Sequence, residues 1–283
     1  MSKNRYSRQQ MRKYMIIWIA ILALTTACGS RQTSASEDES QKDSVAMADS
    51  ADTLDNLAMP RAADELFDDF VFNFVASRKL QLERVQFPLP MVNGEKKTLL
   101  GKDQWKTEQF FMRQGYYTLL FDNELQQEIV KDTTVSHAVV EKIYFNTHSV
   151  IQYVFNRLQG IWKLTEIRTI PISASNNASF LTFYHDFASD LIFQQHHLNE
   201  TVKFVGPDPD DDFSQMEGII TRDTWEAFAP QLPQRMIYNI IYGQPRPEGN
   251  SKVFVLRGIA NGLELEMTFR RKSGEWRLMK LTT

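Results

Sequence analysis

One cysteine in 283 residues excludes a disulfide framework and any zinc or iron–sulfur site built from several thiolates. A surplus of one charge is also missing. The 32 bases stand against 35 acids, without the basic excess that a nucleic-acid binder carries. The longest apolar run, residues 15–24, is half of the ~20 residues that cross a bilayer as a helix. Histidine is scarce, and none of His137, His148, His185, His196 and His197 stands in a His-Glu-x-x-His or other metal-ligand spacing. There is no Gly-x-Ser-x-Gly, P-loop or Gly-x-Gly-x-x-Gly either. No catalytic residue, metal ligand or cofactor is therefore assigned. What is plentiful is core material: 42% hydrophobic residues, among them 19 phenylalanines.

The near-zero charge averages unlike segments. Residues 1–27 carry a net +5, residues 28–59 a net −5, and residues 60–283 a net −3. The basic start, the short apolar run and the small residues Thr25-Thr26-Ala27 describe an export signal. The lone cysteine, Cys28, follows at once. This arrangement resembles a bacterial lipoprotein signal, which implies that residues 1–27 are removed and that Cys28 is acylated. Acylation would hold the protein to the cell envelope, at the outer membrane on its periplasmic or outer face. Several acyl chains anchor stably where one binds only marginally.

Residues 28–59 are rich in Ser, Ala, Asp and Glu, with too little apolar surface to offset the entropy of ordering, so they are read as an acidic disordered tether. Asp43-Ser44-Val45, Asp49-Ser50-Ala51 and Asp52-Thr53-Leu54 resemble the acceptor tripeptide of the general O-glycosylation system of Bacteroidota. That resemblance makes Ser44, Ser50 and Thr53 candidate acceptors, although an Asp/Ser/Ala tract also produces such triplets by composition alone.

From residue 60 the chain is written twice. Phe67, Phe70, Phe74 and Gln81 map onto Phe180, Phe183, Phe187 and Gln194 at a constant offset of 113. Lys102-Asp103-Gln104-Trp105 is answered by Arg222-Asp223-Thr224-Trp225, and Gly160-Ile161-Trp162-Lys163-Leu164 by Gly274-Glu275-Trp276-Arg277-Leu278. A period this long means duplicated domains. In each copy the spacing predicts an opening helix, with Leu66, Phe67, Phe70, Val71 and Phe74 on one face, then Phe180, Phe183, Tyr184, Phe187 and Leu191. A turn-rich insert, a short helix around Trp105 or Trp225, and alternating strands such as Leu263–Phe269 follow. The fold class is α+β: two tandem cystatin-like cones, each a long helix plus a short helix packed on a curved antiparallel sheet. The boundaries are 60–170 for the first cone, 171–179 for a linker and 180–283 for the second.

This order is similar to nuclear transport factor 2-like and SnoaL-like domains. More specifically, Phe67…Phe70…Phe74…Gln81…Val85-Gln86-Phe87-Pro88, its echo at residues 180–204 and the Trp-Lys-Leu and Trp-Arg-Leu endings resemble an uncharacterised family of Bacteroidota lipoproteins, domain of unknown function 4348. The resemblance implies a fold and an envelope location, and brings no activity with it. In a cone of this kind a pocket between helix and sheet would be lined by aromatics, for which Trp105, Tyr117, Trp225 and Tyr238 stand by position, with Tyr116 and Tyr242 beside them. Packing is the competing reading, since a duplicated core repeats its aromatics. His185-Asp186 resembles an acid–base pair, but helix neighbours point apart. Asp208-x-Asp210-x-Asp212 imitates a calcium loop, yet Phe213 and Ile219 stand where Gly and Glu are required, so a solvated hairpin tip is expected. The expected role is non-catalytic binding of a small molecule, glycan or envelope protein, as a monomer with internally paired domains or a homodimer. The alternative is a SnoaL-like pocket enzyme.

Overall fold

A computed structural model describes residues 64–208 and 210–283; the signal, Cys28, the tether and the three candidate acceptors lie outside them. The architecture is mixed α+β, with few helices and two six-stranded sheets. Each copy opens with the expected aromatic helix, α1 (Phe67–Ala76) and α3 (Ala178–Ser189). Phe67, Phe70, Val71 and Phe74 are buried on one side of α1, as Phe180, Phe183, Tyr184 and Phe187 are on α3.

Both helices break at the same place in the repeat. Ser77 and Asp190 leave helical geometry and cap a second helix each, α2 (Arg78–Arg84) and α4 (Leu191–His196). Ser77 Oγ accepts from Leu80 N at 3.2 Å, and Asp190 Oδ1 from Ile192 N and Phe193 N at 2.8 and 3.0 Å. A short polar side chain that bonds the backbone locally competes with helix continuation and favours a new N-terminus. The break corrects one expectation: Leu191 begins α4 and is 37% exposed, off the core face that Phe187 occupies. The segments around the two tryptophans are single 3-10 turns, Lys102–Gln104 and Trp225–Ala227.

The first copy supplies strands β1 (Leu89–Asn93), β2 (Lys96–Leu100), β3 (Tyr116–Phe121), β4 (His137–Tyr144), β5 (Ser149–Leu158) and β6 (Ile161–Pro171). The second supplies β7 (Leu198–Asp208), β8 (Asp211–Ile220), β9 (Met236–Tyr242), β10 (Ser251–Gly258), β11 (Glu264–Lys272) and β12 (Glu275–Thr282). The sheets are ordered β2-β1-β6-β5-β4-β9 and β3-β10-β11-β12-β7-β8. Pairing is antiparallel except for β1 with β6 and β7 with β12. Register slips at Val154/Phe155 and at Thr268/Phe269, equivalent positions, and such bulges bend a sheet around its helix. The hairpins that deliver Trp162 and Trp276 turn on Gln159-Gly160 and Ser273-Gly274, all four with positive φ, as a two-residue hairpin loop matching the strand twist requires.

Numbered within its copy, each sheet reads 2-1-6-5-4 and is then completed by strand 3 of the other copy. β9 pairs with β4 (Val139 opposite Ile241) and β3 pairs with β10 (Phe121 opposite Val253). The two cones therefore exchange one strand reciprocally within a single chain. Only residues 172–177 of the expected linker 171–179 lie between β6 and α3, and each sheet crosses that connection. β3 and β9 also touch: Thr118 Oγ1 donates to Tyr238 O, and Leu120 N donates to Asn239 Oδ1 at 2.9 Å.

Candidate functional site

The duplication acts as an internal control. A feature present in both copies serves the shared fold, whereas a buried polar group present in one copy needs another reason. The tryptophans belong to the first kind. Trp105 Nε1 donates to Gln81 Oε1 at 3.1 Å and Trp225 Nε1 to Gln194 Oε1 at 2.8 Å. Each glutamine then donates back to the last turn of the preceding helix, Gln81 Nε2 to Phe74 O at 3.0 Å and Gln194 Nε2 to Phe187 O at 2.7 Å. Both cones are closed by their own aromatics in matching geometry. Phe74 and Phe155 meet at 5.4 Å and 89°, Phe187 and Phe269 at 5.2 Å and 89°.

Tyr117 and Tyr238 are likewise buried, Tyr117 against Phe111 and Phe72, Tyr238 against Phe110 and Phe111. Tyr116 is half-buried on the second core, and Tyr242 donates from its hydroxyl to Asp68. His185 sits 3.4 Å from Asp186, both side chains largely solvent-facing, with the imidazole stacked on Phe145. Asp208 turns the β7–β8 hairpin, accepting from Asp210 N at 2.9 Å and Ser214 Oγ at 3.2 Å. Among the described residues no three His, Cys, Asp or Glu side chains converge in a metal-holding group.

Several buried polar clusters occur in one copy only, among them Arg84 with Asp64 and Tyr242 with Asp68, and two are built on a lysine. In the first cone, Glu108 accepts from Lys142 Nζ at 2.6 Å and from the Tyr153 hydroxyl at 2.7 Å. The Lys142 ammonium also lies 5.5 Å from the Tyr153 ring centre and 5.8 Å from those of Phe110 and Tyr238, a cation–π arrangement. Burial works against the Glu108 charge, but the Lys142 and Tyr153 bonds prevail and hold its carboxyl below the ordinary range. Phe228, Leu256 and Met267 occupy the positions of Glu108, Lys142 and Tyr153 in the second copy.

The second cluster lies at the seam, where the ends of the exchanged strands meet the linker. Lys252 is 3% exposed and donates to Asp122 Oδ1 at 2.5 Å and to Asn177 Oδ1 at 2.6 Å. Ala138 and Tyr242 stand at the equivalents of Lys252 and Asp122. These groups line a cavity of about 90 Å³. Its apolar wall includes Leu120, Phe121, Ile129 and Ile240, and its polar wall adds Asn176, Gln244 and Arg246. Of the aromatics expected to line a pocket, Tyr242 reaches this cavity, while Trp105, Tyr117, Trp225 and Tyr238 do not. Close by, Glu141 is fully buried, accepting from Gln152 Nε2 and Asn239 Nδ2 at 2.9 Å each, and burial pushes its carboxyl up.

Sequence reasoning missed the seam because Asn176-Asn177 falls in the segment read as linker and a single lysine in an apolar run gives no sign of burial. A signal existed: aligning the copies puts Lys252 opposite Ala138 on the inward face of a strand.

A family model described as a domain of unknown function, DUF4348, matches residues 47–283. A crystal structure of an NTF2-like protein from Bacteroides fragilis is 40% identical, with a TM-score of 0.71, over 80% of this chain and 98% of that one. No curated protein matches the chain.

Proposed function

The chain belongs to the DUF4348 family of domains of unknown function, and from that premise we propose that it is a lipid-anchored binding module of the cell envelope, without catalytic activity. One observation carries the binding reading. Aromatic side chains pack against one another in both cones, and a hollow lies at the seam, walled by both copies. A pocket enzyme on this fold would use polar groups inside an open cone, and fold likeness supplies no reaction. The first cone's Glu108–Lys142–Tyr153 cluster favours the second reading, an acid–base enzyme, because the fold does without it in the other copy. Its members satisfy one another, however, which suits a structural pair better than a poised acid and base.

The anchor reading rests on Cys28 and its signal context. Metabolic labelling with a palmitate analogue, followed by membrane fractionation, tests it. The wild type is expected labelled and membrane-bound, and Cys28→Ala unlabelled and released; a labelled Cys28→Ala protein would refute the anchor. The strand exchange supports a monomer with internally paired cones, since each copy already completes the other's sheet. Light scattering of the detergent-solubilised protein checks this, and a dimer mass would refute it.

A further inference from the structure

We propose that the seam cavity is a carboxylate site, receiving the acid end of a small organic molecule. The proposal rests on the binding-module reading and names its ligand class.

Size comes first. An apolar cavity of about 150 Å³ holds benzene, or about 25 Å³ per heavy atom. The seam cavity, at about 90 Å³, holds about four heavy atoms on that scale, the size of acetate or propionate. A longer tail would emerge through the mouth beside Gln244 and Arg246, which are exposed.

Chemistry follows from which groups are already committed. The Lys252 ammonium only donates, so the oxygen of the Asn177 amide must face it. That fixes the amide's orientation and leaves Asn177 Nδ2 as the free donor. Asn177 is 6% exposed, lines the cavity, and its Nδ2 has no hydrogen-bond partner among the described residues. A donor that opens onto the cavity with no acceptor among the described residues is available to a ligand oxygen. Arg246 is the second free group, with no ion pair among the described residues. Its backbone is held in place by Asn176 Nδ2, which donates to Arg246 O at 3.0 Å. Its guanidinium offers the forked donor pair that matches a carboxylate.

The acids nearby are occupied. Asp122 neutralises Lys252, and Glu248 accepts from Ser179 N and Phe180 N at the start of α3. What is left over is one positive charge and one amide donor above a wall of aliphatic and aromatic carbon. A short carboxylate complements all three. A cation would meet Arg246 and leave Asn177 Nδ2 unsatisfied.

The test uses the full chain in detergent micelles, titrated with acetate, propionate, propionamide and propylamine by calorimetry and ligand-observed NMR. Propionate is expected to saturate, and propionamide, which keeps the shape and loses the charge, to bind about tenfold more weakly or less. Arg246→Gln should weaken propionate about tenfold while leaving thermal stability unchanged, because that side chain is exposed and unpaired. Gln244→Trp, at the mouth, should abolish binding. Equal binding of propionate and propionamide, or propionate binding that survives Gln244→Trp, overturns the carboxylate site. A neutral or cationic probe that saturates and is lost in Gln244→Trp overturns the ligand class and keeps the binding module. Failure of every probe to bind overturns the seam cavity as a ligand site.

Discussion

The paired Trp–Gln bonds give the sharpest quantitative test of the duplicated core. Gln194→Leu keeps the volume of the side chain and removes its polar end, orphaning Trp225 Nε1 and Phe187 O, both buried. Each orphan costs about 1–3 kcal/mol, so the variant should lose about 2–6 kcal/mol. Gln81→Leu orphans the two equivalent groups and two more, because Gln81 Oε1 also accepts from Glu108 N at 2.9 Å and Gln81 Nε2 also donates to Glu108 O at 2.7 Å. Those two bonds are only part-buried, and water can replace them in part, so they add about 0.5–1.5 kcal/mol each. Gln81→Leu should therefore be the worse variant by about 1–3 kcal/mol. At about 2–4 °C per kcal/mol for a fold of this size, the difference is visible in a thermal melt, with guanidinium titration as the second assay. The double variant Trp225→Phe/Gln194→Leu removes donor and acceptor together and should cost less than the sum of its parts, by about 1 kcal/mol or more. Strict additivity would refute the bond as a unit of stability. A Gln194→Leu protein as stable as the wild type, or less stable than Gln81→Leu, would refute the account of why both glutamines are there.

The strand exchange is read directly by cysteine pairs in a Cys28→Ala background. Val139→Cys with Ile241→Cys should give an intramolecular crosslink by peptide mass mapping, and Val139→Cys with Phe121→Cys should not; the reverse result would assign β3 to its own cone. Lys142→Met leaves Glu108 without its cation in a part-buried site and should cost about 1–3 kcal/mol at pH 7. Because the Glu108 carboxyl is lowered in the fold, its stabilisation is present above its ordinary value of 4.5 and lost as pH falls, so the gap between wild type and Lys142→Met should narrow in acid denaturation curves. Glu141 has the opposite sign: raised by burial, its contribution is full below pH 4.5 and lost as pH climbs toward the folded value, and Glu141→Gln should flatten that part of the stability–pH profile. Intact-mass measurement of native protein should find sugar at Ser44, Ser50 or Thr53 if the tripeptides act as acceptors, and an unmodified tether peptide would end that proposal.

The parts of the fold that were legible in the sequence are those set by local periodicity. Phe67, Phe70 and Phe74, with their echoes at Phe180, Phe183 and Phe187, announce an apolar helix face wherever they stand, and Leu263–Phe269 alternates as a half-buried strand must. The helix breaks had a signal too, since Ser77 and Asp190 are both N-cap residue types within an otherwise helical pattern. Strand exchange had none. Tyr116–Phe121 is an apolar run that fits beside β4 or β10 equally well, and duplication makes those two slots alike. Pairing partners about 90 to 140 residues apart leave no local trace. The Gln–Trp bond is an intermediate case, because Gln81 and Gln194 recur at a fixed offset, yet nothing in that spacing shows what they hold.

Duplication also explains why a new site would arise at the seam. In both cones the interior is committed to closing the core, so an open pocket there would require removing aromatics that meet at 5–6 Å. The seam carries no such duty. Its walls come from β3, β9, β10 and the connection ahead of α3, so neither copy can form it alone. A buried ion pair such as Lys252–Asp122 adds little net stability and can be replaced, as it is at the equivalent positions by Ala138 and by Tyr242, whose hydroxyl bonds Asp68. The fold thus does without the lysine on one side and carries the ion pair on the other. That polar choice sets the Asn177 amide with its donor uncommitted, and it is at such one-sided departures from the repeat that a ligand is to be sought.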